Sequence, residues 1–328
     1  MKKFLLNLTK FVLYPIIIFI LVDTLINLST EHKSLNDLID EKIEALPIKN
    51  NQINIIIAGD SRAERQLIPK IIKEKTGINT INIAVSSGDV VSTIAAIKEK
   101  FSESKCIFII SASSWQINDG AIDAGYLSEK CFQQATSFDK IVLYKDNVVG
   151  FTKMYGRLIN QAIKVNYSTS EDIKKPIDND GFLGINGKIK KFSTQAEMND
   201  YIKRHKYYKN FENDRIRWKI FQKSLQDLDN LETISFVIQP PLSPYGHKVT
   251  KNSIIQKSEL EYSKKITSLK FKNIKCLDFY SNNISTLTDD MYYDLYHLND
   301  KGAIIYSKLI ANLVLNEVKN NNKFNNFE

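Results

Sequence analysis

Two apolar runs rich in β-branched residues, Ile53–Ala58 and Ile78–Val85, each end in a turn of small residues and pass directly into a stretch of helical periodicity. Few folds accommodate that pattern. The first run meets Gly59-Asp60-Ser61 and then Arg62–Lys75, closed by Gly77; the second meets Ser86-Ser87-Gly88 and then Val90–Phe101. Apolar runs of this length suit strands covered on both faces, and strands separated by helices pair in parallel. Cys106–Ile110 is a third such run. Thr233–Ile238, ending at Gln239-Pro240-Pro241, and Ile274–Phe279 are a fourth and a fifth, with a helical stretch at Ser258–Leu269 between them and a closing helix at Lys301–Val318. The pattern predicts an α/β fold, a three-layer sandwich around a mainly parallel five-stranded sheet.

This domain is expected to occupy residues 52–319, interrupted at about 112–231 by a long insertion of mixed helical stretches, the Gly-rich segment 180–187 and an aromatic-basic run near 201–218. An insertion after the third strand leaves the sheet at its carboxyl edge, where open α/β folds bind ligands. It reads either as a lid or as a helical embellishment packed on one face. Tyr201, Tyr207, Tyr208, Arg217 and Trp218 are a candidate sugar-stacking platform, although aromatic residues at helical spacing also serve as core. The asparagine-rich tail 320–328 is expected to be disordered.

Ahead of the domain, Met1-Lys2-Lys3 precedes an apolar stretch, Phe4–Leu28, that reaches bilayer-spanning length if Lys10 and Asp23 sit near the two interfaces. The lysines on its N-terminal side place the N-terminus inside and the main domain outside, so residues 1–30 read as a single-pass anchor in the cytoplasmic membrane. A cleaved signal peptide is the competing reading, but no Ala-x-Ala site follows the apolar core. The polar residues 31–51, with a weak helical pattern over Leu35–Leu46, read as a stalk.

Composition narrows the function classes. The formal charge of +8 comes from lysines dispersed among acidic and amide residues, not from an arginine-rich block, and so does not point to nucleic acid. Cys106, Cys131 and Cys276 form no CxxC pair and no metal-ligand spacing with histidine; Cys106 and Cys276 fall in strands as small hydrophobes. A Cys106–Cys131 bridge is open but has no support in the spacing. Neither a metal nor an organic cofactor is implied.

Two distant segments carry the chemistry. Ser61, at a strand-to-helix turn, presents its hydroxyl at the sheet's carboxyl edge beside a helix N-terminus, although Asp-Ser at such a turn also serves as an ordinary helix cap. In Asp294-Leu295-Tyr296-His297-Leu298-Asn299-Asp300-Lys301-Gly302, an aspartate precedes a histidine by three residues on a loop before the last helix. One imidazole nitrogen can then face the carboxylate and the other a serine. His32, His205 and His247 lack such a context.

Gly59-Asp60-Ser61 after the first strand, Gly88 after the second, and Asp294-x-x-His297-x-Asn299-x-x-Gly302 near the end together resemble the SGNH/GDSL hydrolase superfamily over residues 53–318. The resemblance implies a catalytic set of Ser61 as nucleophile, His297 as base and Asp294 as its orienting partner, with the Ser61 and Gly88 backbones as oxyanion-hole donors. The chain departs from the family's third block, Gly-x-Asn-Asp, reading Ser111-Ala112-Ser113-Ser114-Trp115-Gln116 instead. Ser113 falls at the missing asparagine's position as a replacement donor, with Ser114 and Asn118 as alternatives. The anchor, the insertion and this departure look like the membrane-anchored branch of bacterial cell-surface polysaccharide O-acyltransferases and esterases. That likeness implies a serine-dependent enzyme moving O-acyl groups on a surface glycan, beside polysaccharide-modification partner proteins. The competing expectation is a non-catalytic SGNH-like protein that binds glycan or assembles an export complex.

Overall fold

The computed structural model describes residues 52–117, 180–204 and 215–320, apart from 87, 103, 193 and 283, together with scattered residues within 11–24, 39–48, 136–140 and 151–156. The strands are β1 (Asn54–Ala58), β2 (Asn79–Asn82), β3 (Cys106–Ser111), β4 (Ser235–Gln239) and β5 (Ile274–Asp278). All neighbours pair in parallel, in the order β2-β1-β3-β4-β5. The helices are α1 (Ser61–Gln66), α2 (Pro69–Thr76), α3 (Val90–Phe101), α4 (Gln195–Arg204), α5 (Arg215–Asp229), α6 (Pro244–Thr250), α7 (Ile254–Ser268) and α8 (Asp300–Asn320).

The apolar runs divide by the period of two that a strand imposes. Ile55, Ile57, Ile107 and Ile109 point to one face, where they meet Ala63, Leu67 and Ile72 from α1, α2 and their junction and Tyr306, Ile310 and Val314 from α8. Ile56, Ala58, Phe108 and Ile110 point to the other, against Val90, Ile94 and Ile97 of α3, Phe221 and Leu225 of α5, and Tyr262 and Ile266 of α7. Both faces are covered, so the expected three layers are present. After β1 the chain crosses to β2 on one side; after β3 it proceeds to β4 on the other. The carboxyl ends of β1 and β3 therefore flank the point where the winding reverses, which is where such sheets leave a crevice.

Several boundaries differ from expectation for local reasons. The single helix expected over Arg62–Lys75 is two, because Pro69 has no amide to donate and biases Ile68 toward its observed extended backbone. Gly77 closes α2 with φ 74° and its amide on the Lys73 carbonyl. β2 stops at Asn82, since Val85 and Gly88 turn back through hydrogen bonds to the Gly59 and Val85 carbonyls. Cys106 and Cys276 lie in β3 and β5 as free thiols, and burial pushes both up to about 12. Cys131 and Asn118 lie outside the described residues, as does the tail 321–328.

The expected stalk is corrected. Ile39, Lys42 and Leu46 are buried, and Ile39 and Leu46 join the core cluster with Ile56, Ile81 and Ile83, so these described residues of the segment pack on the domain instead of standing away from it. The spacing of Ile39, Ile43 and Leu46 is the apolar stripe of a helix covering the sheet. Among the described residues, no helix is long and apolar enough to cross a membrane. Those described within 11–24 are helical and expose a stripe of Phe11, Tyr14, Ile18 and Leu21. Phe19 on the same segment packs on Phe151 and Tyr155, while buried Asp23 accepts hydrogen bonds from Lys140 Nζ at 2.6 Å and Tyr155 Oη at 2.5 Å. Asp23 is thus satisfied by the insertion, not by an aqueous interface.

The candidate sugar platform is likewise corrected at the two positions that the structure places in the core. Arg217 is 1% exposed and its guanidinium reaches Asp89 Oδ1 at 3.4 Å, while Trp218 packs on Phe221 and Tyr262. α5 presents these residues to the domain because its apolar stripe faces α3. Tyr201 stacks near Phe192, and Tyr207 and Tyr208 lie outside the described residues. Asp89 caps α3 by accepting the Ser92 amide at 2.9 Å, so Arg217 neutralises a buried cap. Replacing Arg217 with methionine removes this cation from beside the buried carboxylate, and the urea midpoint is expected to fall by the equivalent of about 3–5 kcal/mol.

Candidate active site

Gly59 begins the site. Its φ of 129° is closed to other residues, and a Cβ there would lie 2.6 Å from the Ser111 carbonyl oxygen. Only glycine lets the chain leaving β1 pass this close to the end of β3 and turn at once into α1. Gly59→Ala is expected to cost about 2–4 kcal/mol, from the unfavourable backbone and the displaced strand end, read as a lowered urea midpoint.

Asp60 caps α1, its Oδ1 accepting the Arg62 amide at 3.0 Å. The cap reading of Asp-Ser is therefore correct for Asp60 and leaves Ser61, the first helical residue, with its hydroxyl available. Asp60 is itself held by β3 and the loop beyond it: Ser111 Oγ donates to Oδ1 at 3.2 Å and Ser113 Oγ to Oδ2 at 2.6 Å. Asn82, at the end of β2, fastens α1 from the other side by donating to the Ala63 and Leu67 carbonyls at 2.9 and 3.1 Å.

The histidine arrives from the opposite end of the chain. Asp294 Oδ1 accepts the amides of Tyr296 and His297 at 2.8 and 2.7 Å, which folds the loop into a tight turn. That turn brings the His297 ring back over the carboxylate, with Nδ1 at 2.8 Å from Oδ2 and 3.0 Å from Oδ1. Gln66, on the last turn of α1, donates to the Tyr296 carbonyl at 2.7 Å and ties this loop to the helix that carries Ser61. Asn299 fixes the other flank, donating to the Gly187 and Asp290 carbonyls and accepting the amides of Lys301 and Gly302 at the start of α8. Gly302 is required by packing, since a Cβ would lie 2.4 Å from the Met291 carbonyl.

The Ser61 hydroxyl lies 2.8 Å from His297 Nε2, although the two residues are 236 positions apart in sequence. Because the carboxylate can only accept, Nδ1 carries the ring proton and Nε2 accepts from Ser61. The three expected catalytic positions thus form one continuous hydrogen-bonded line. Burial alone raises the Asp294 carboxyl, but the hydrogen bond and charge of His297, with the two backbone amides, outweigh it and hold the group below the usual carboxylate range. His247 lies apart from this line, on α6 with its ring 4.7 Å from that of Tyr280, and burial lowers its basicity.

The expected oxyanion donors are arranged differently. The Gly88 amide donates to the Val85 carbonyl at 2.7 Å, closing a turn, and the Ser113 hydroxyl and amide are committed to Asp60 and to Gln116 Oε1. As a buried hydroxyl beside a carboxylate, Ser113 braces Asp60. Ser114 is also buried, in the 3₁₀ turn Ser114–Ile117. The Ser61 amide lies in the first turn of α1, where helical amides lack intrahelical partners. Sequence reasoning missed Gln116, whose side chain accepts the Ser113 amide at 2.8 Å and donates to the Gly88 carbonyl at 2.6 Å. A glutamine following Ser-Ala-Ser-Ser-Trp was the available signal, one turn beyond the position inspected.

No family model and no curated protein matches the chain. Among solved structures, it is similar to a Streptococcus pneumonia protein described provisionally as a platelet activating factor, with 10% identity, a TM-score of 0.40, and coverage of 86% of this chain and 92% of that one. It is also similar to a protein from Bacteroides fragilis described provisionally as an acylhydrolase, with 10% identity, a TM-score of 0.37, and coverage of 86% and 97%.

Proposed function

We propose that this chain is a serine-dependent acyl-ester enzyme of the SGNH type. The observation that carries the reading is the Ser61–His297–Asp294 line at the reversal point of the sheet. Ser61 Oγ attacks the ester carbonyl carbon while its proton passes to His297 Nε2; Asp294 stabilises the imidazolium that results. The tetrahedral oxyanion collapses, the alcohol departs with the proton from Nε2, and acyl-Ser61 remains. Water or another hydroxyl then attacks that ester, with His297 taking its proton and returning it to Ser61 Oγ as the acyl–Oγ bond breaks.

The substrate in this reading is an O-acyl group on a bacterial surface glycan, and the enzyme works outside the cytoplasmic membrane on its N-terminal anchor. The exposed apolar stripe on residues 11–21 supports the anchor, as do Lys2, Lys3 and Lys10 ahead of it. Transfer to a glycan hydroxyl and hydrolysis share the same acyl-serine; the departure at Ser111–Gln116 and the anchor favour transfer. One observation favours a second reading. The Gly88 and Ser113 donors are satisfied internally, as in a non-catalytic glycan-binding or assembly protein that retains the fold.

The two readings separate when the full-length chain, purified in detergent, is treated with a small activated acyl ester and digested for mass spectrometry. The expected result is an acyl adduct on the Ser61 peptide of the parent chain and none in Ser61→Ala. An unlabelled Ser61 in a folded parent chain would sink the catalytic reading. Adding an acetyl-accepting polysaccharide should divert acyl groups from water to sugar hydroxyls.

A further inference from the structure

The loop that follows β2 is held from two sides. On one, Gln116 takes the Gly88 carbonyl, and Gly88 lies so close to Gly59 that a Cβ would stand 2.8 Å from the Gly59 oxygen. On the other, Ser86 Oγ donates to Glu64 Oε2 in a short hydrogen bond, and Glu64 Oε1 is met by the Lys42 ammonium at 3.0 Å. Lys42 also donates to the Ala84 carbonyl at 2.5 Å, at the root of the same loop. Lys42 and Glu64 are each 6% exposed. Glu64 stands three residues after Ser61 on α1, so the carboxylate that holds the loop rides on the same helix as the hydroxyl.

Lys42 does not belong to the α/β domain as the sequence delimits it. It comes from the segment between the N-terminal apolar stretch and β1, seated between Ile39 and Leu46 in the core. A long cation brought from outside the sheet is a costly way to satisfy one carboxylate, since both groups lose hydration and a hydrophobic pair would pack there as well. The arrangement does something an apolar pair cannot do: it reaches two points of the loop at once, a side chain through Glu64 and a backbone carbonyl directly.

We propose that segment 39–48 is an integral part of the catalytic site, with Lys42 as a positioning residue whose ammonium, through Glu64 and Ser86, sets loop 84–88 against Ser61. The inference rests on the acyl-serine reading above. It makes turnover depend on the docking of the segment that leads from the N-terminal stretch. A loop displaced by an ångström is expected to slow acylation without altering how the ester first binds.

The test uses the full-length chain in detergent and a small activated ester, following kcat, KM, the Ser61 adduct and the melting temperature. Lys42→Met is expected to lower kcat about 10- to 100-fold with KM within about 2-fold. Because it leaves the buried Glu64 without its cation, the decisive variant is Lys42→Met combined with Glu64→Leu, which removes both charges. That pair should regain the parent melting temperature while kcat stays low, and adding Ser86→Ala should cost nothing further, since its partner is already gone. Recovery of kcat together with stability in the double variant would overturn the proposal, as would an independent, multiplying loss from Ser86→Ala. A parent chain whose Ser61 takes no adduct would instead overturn the catalytic reading, and the brace with it.

Discussion

Ser61→Ala is expected to lower kcat/KM for a small activated ester by a factor of about 10⁴ to 10⁶, with folding unchanged. In the proposed mechanism the effect is large because the hydroxyl oxygen forms the new bond, and alanine offers His297 nothing to deprotonate. Stability should hardly move, since Asp60 supplies the α1 cap and, among the described residues, the Ser61 hydroxyl hydrogen-bonds to His297. A steady-state assay beside a urea titration separates the two quantities. Turnover within about 10-fold of the parent at equal stability would remove Ser61 from the nucleophile's role.

Asp294→Asn is expected to cost about 10³ to 10⁴ in kcat with little change in KM. Asparagine can still accept the Tyr296 and His297 amides through its carbonyl, so the turn survives. Its NH₂ group then faces Nδ1, which must accept, and the ring proton moves to Nε2, where it points at Ser61 instead of receiving from it. A pH series adds a signed prediction. The Asp294 carboxyl is held below its usual value, so the stability it contributes is fully present above 3.8 and is lost as pH falls through the lower folded value. The asparagine variant should lack that part of the acid loss. Its size should be small, since the Asp294 side chain is 44% exposed and water screens it. A kcat for Asp294→Asn equal to the parent's would show that the carboxylate does not orient the ring.

The sheet was legible because its central strands are buried on both faces, so that Ile53–Ala58 and Cys106–Ile110 carry no polar alternation and match no exposed element. Ser61, His297 and Asp294 were legible because short-range chemistry fixes them: a turn after a strand, and an aspartate three residues before a histidine. What failed depended on partners remote in sequence. Nothing local shows that Ile39 and Leu46 pack on the sheet and not on a free helix, or that the Arg217 guanidinium turns inward to Asp89. Gly88 and Ser113 were placed correctly along the chain, but their donors go to Val85 and Asp60, which only the folded turn reveals. Pro69 was visible throughout, and its effect on the residue before it would have divided α1 from α2.

The 236 positions that separate Ser61 from His297 also have a meaning in time. At roughly 5–20 residues per second, a ribosome needs about 10–50 s to travel from one to the other. Through that interval the emerging chain holds an ordinary serine hydroxyl with no base beside it. On the proposed acyl-serine mechanism, reactivity begins late, when the loop ahead of α8 closes over α1 and Gln66 secures the Tyr296 carbonyl. On that mechanism, a probe that labels Ser61 would count only chains in which the His297 loop has closed, and a ribosome stalled short of residue 297 would release chains that it does not label.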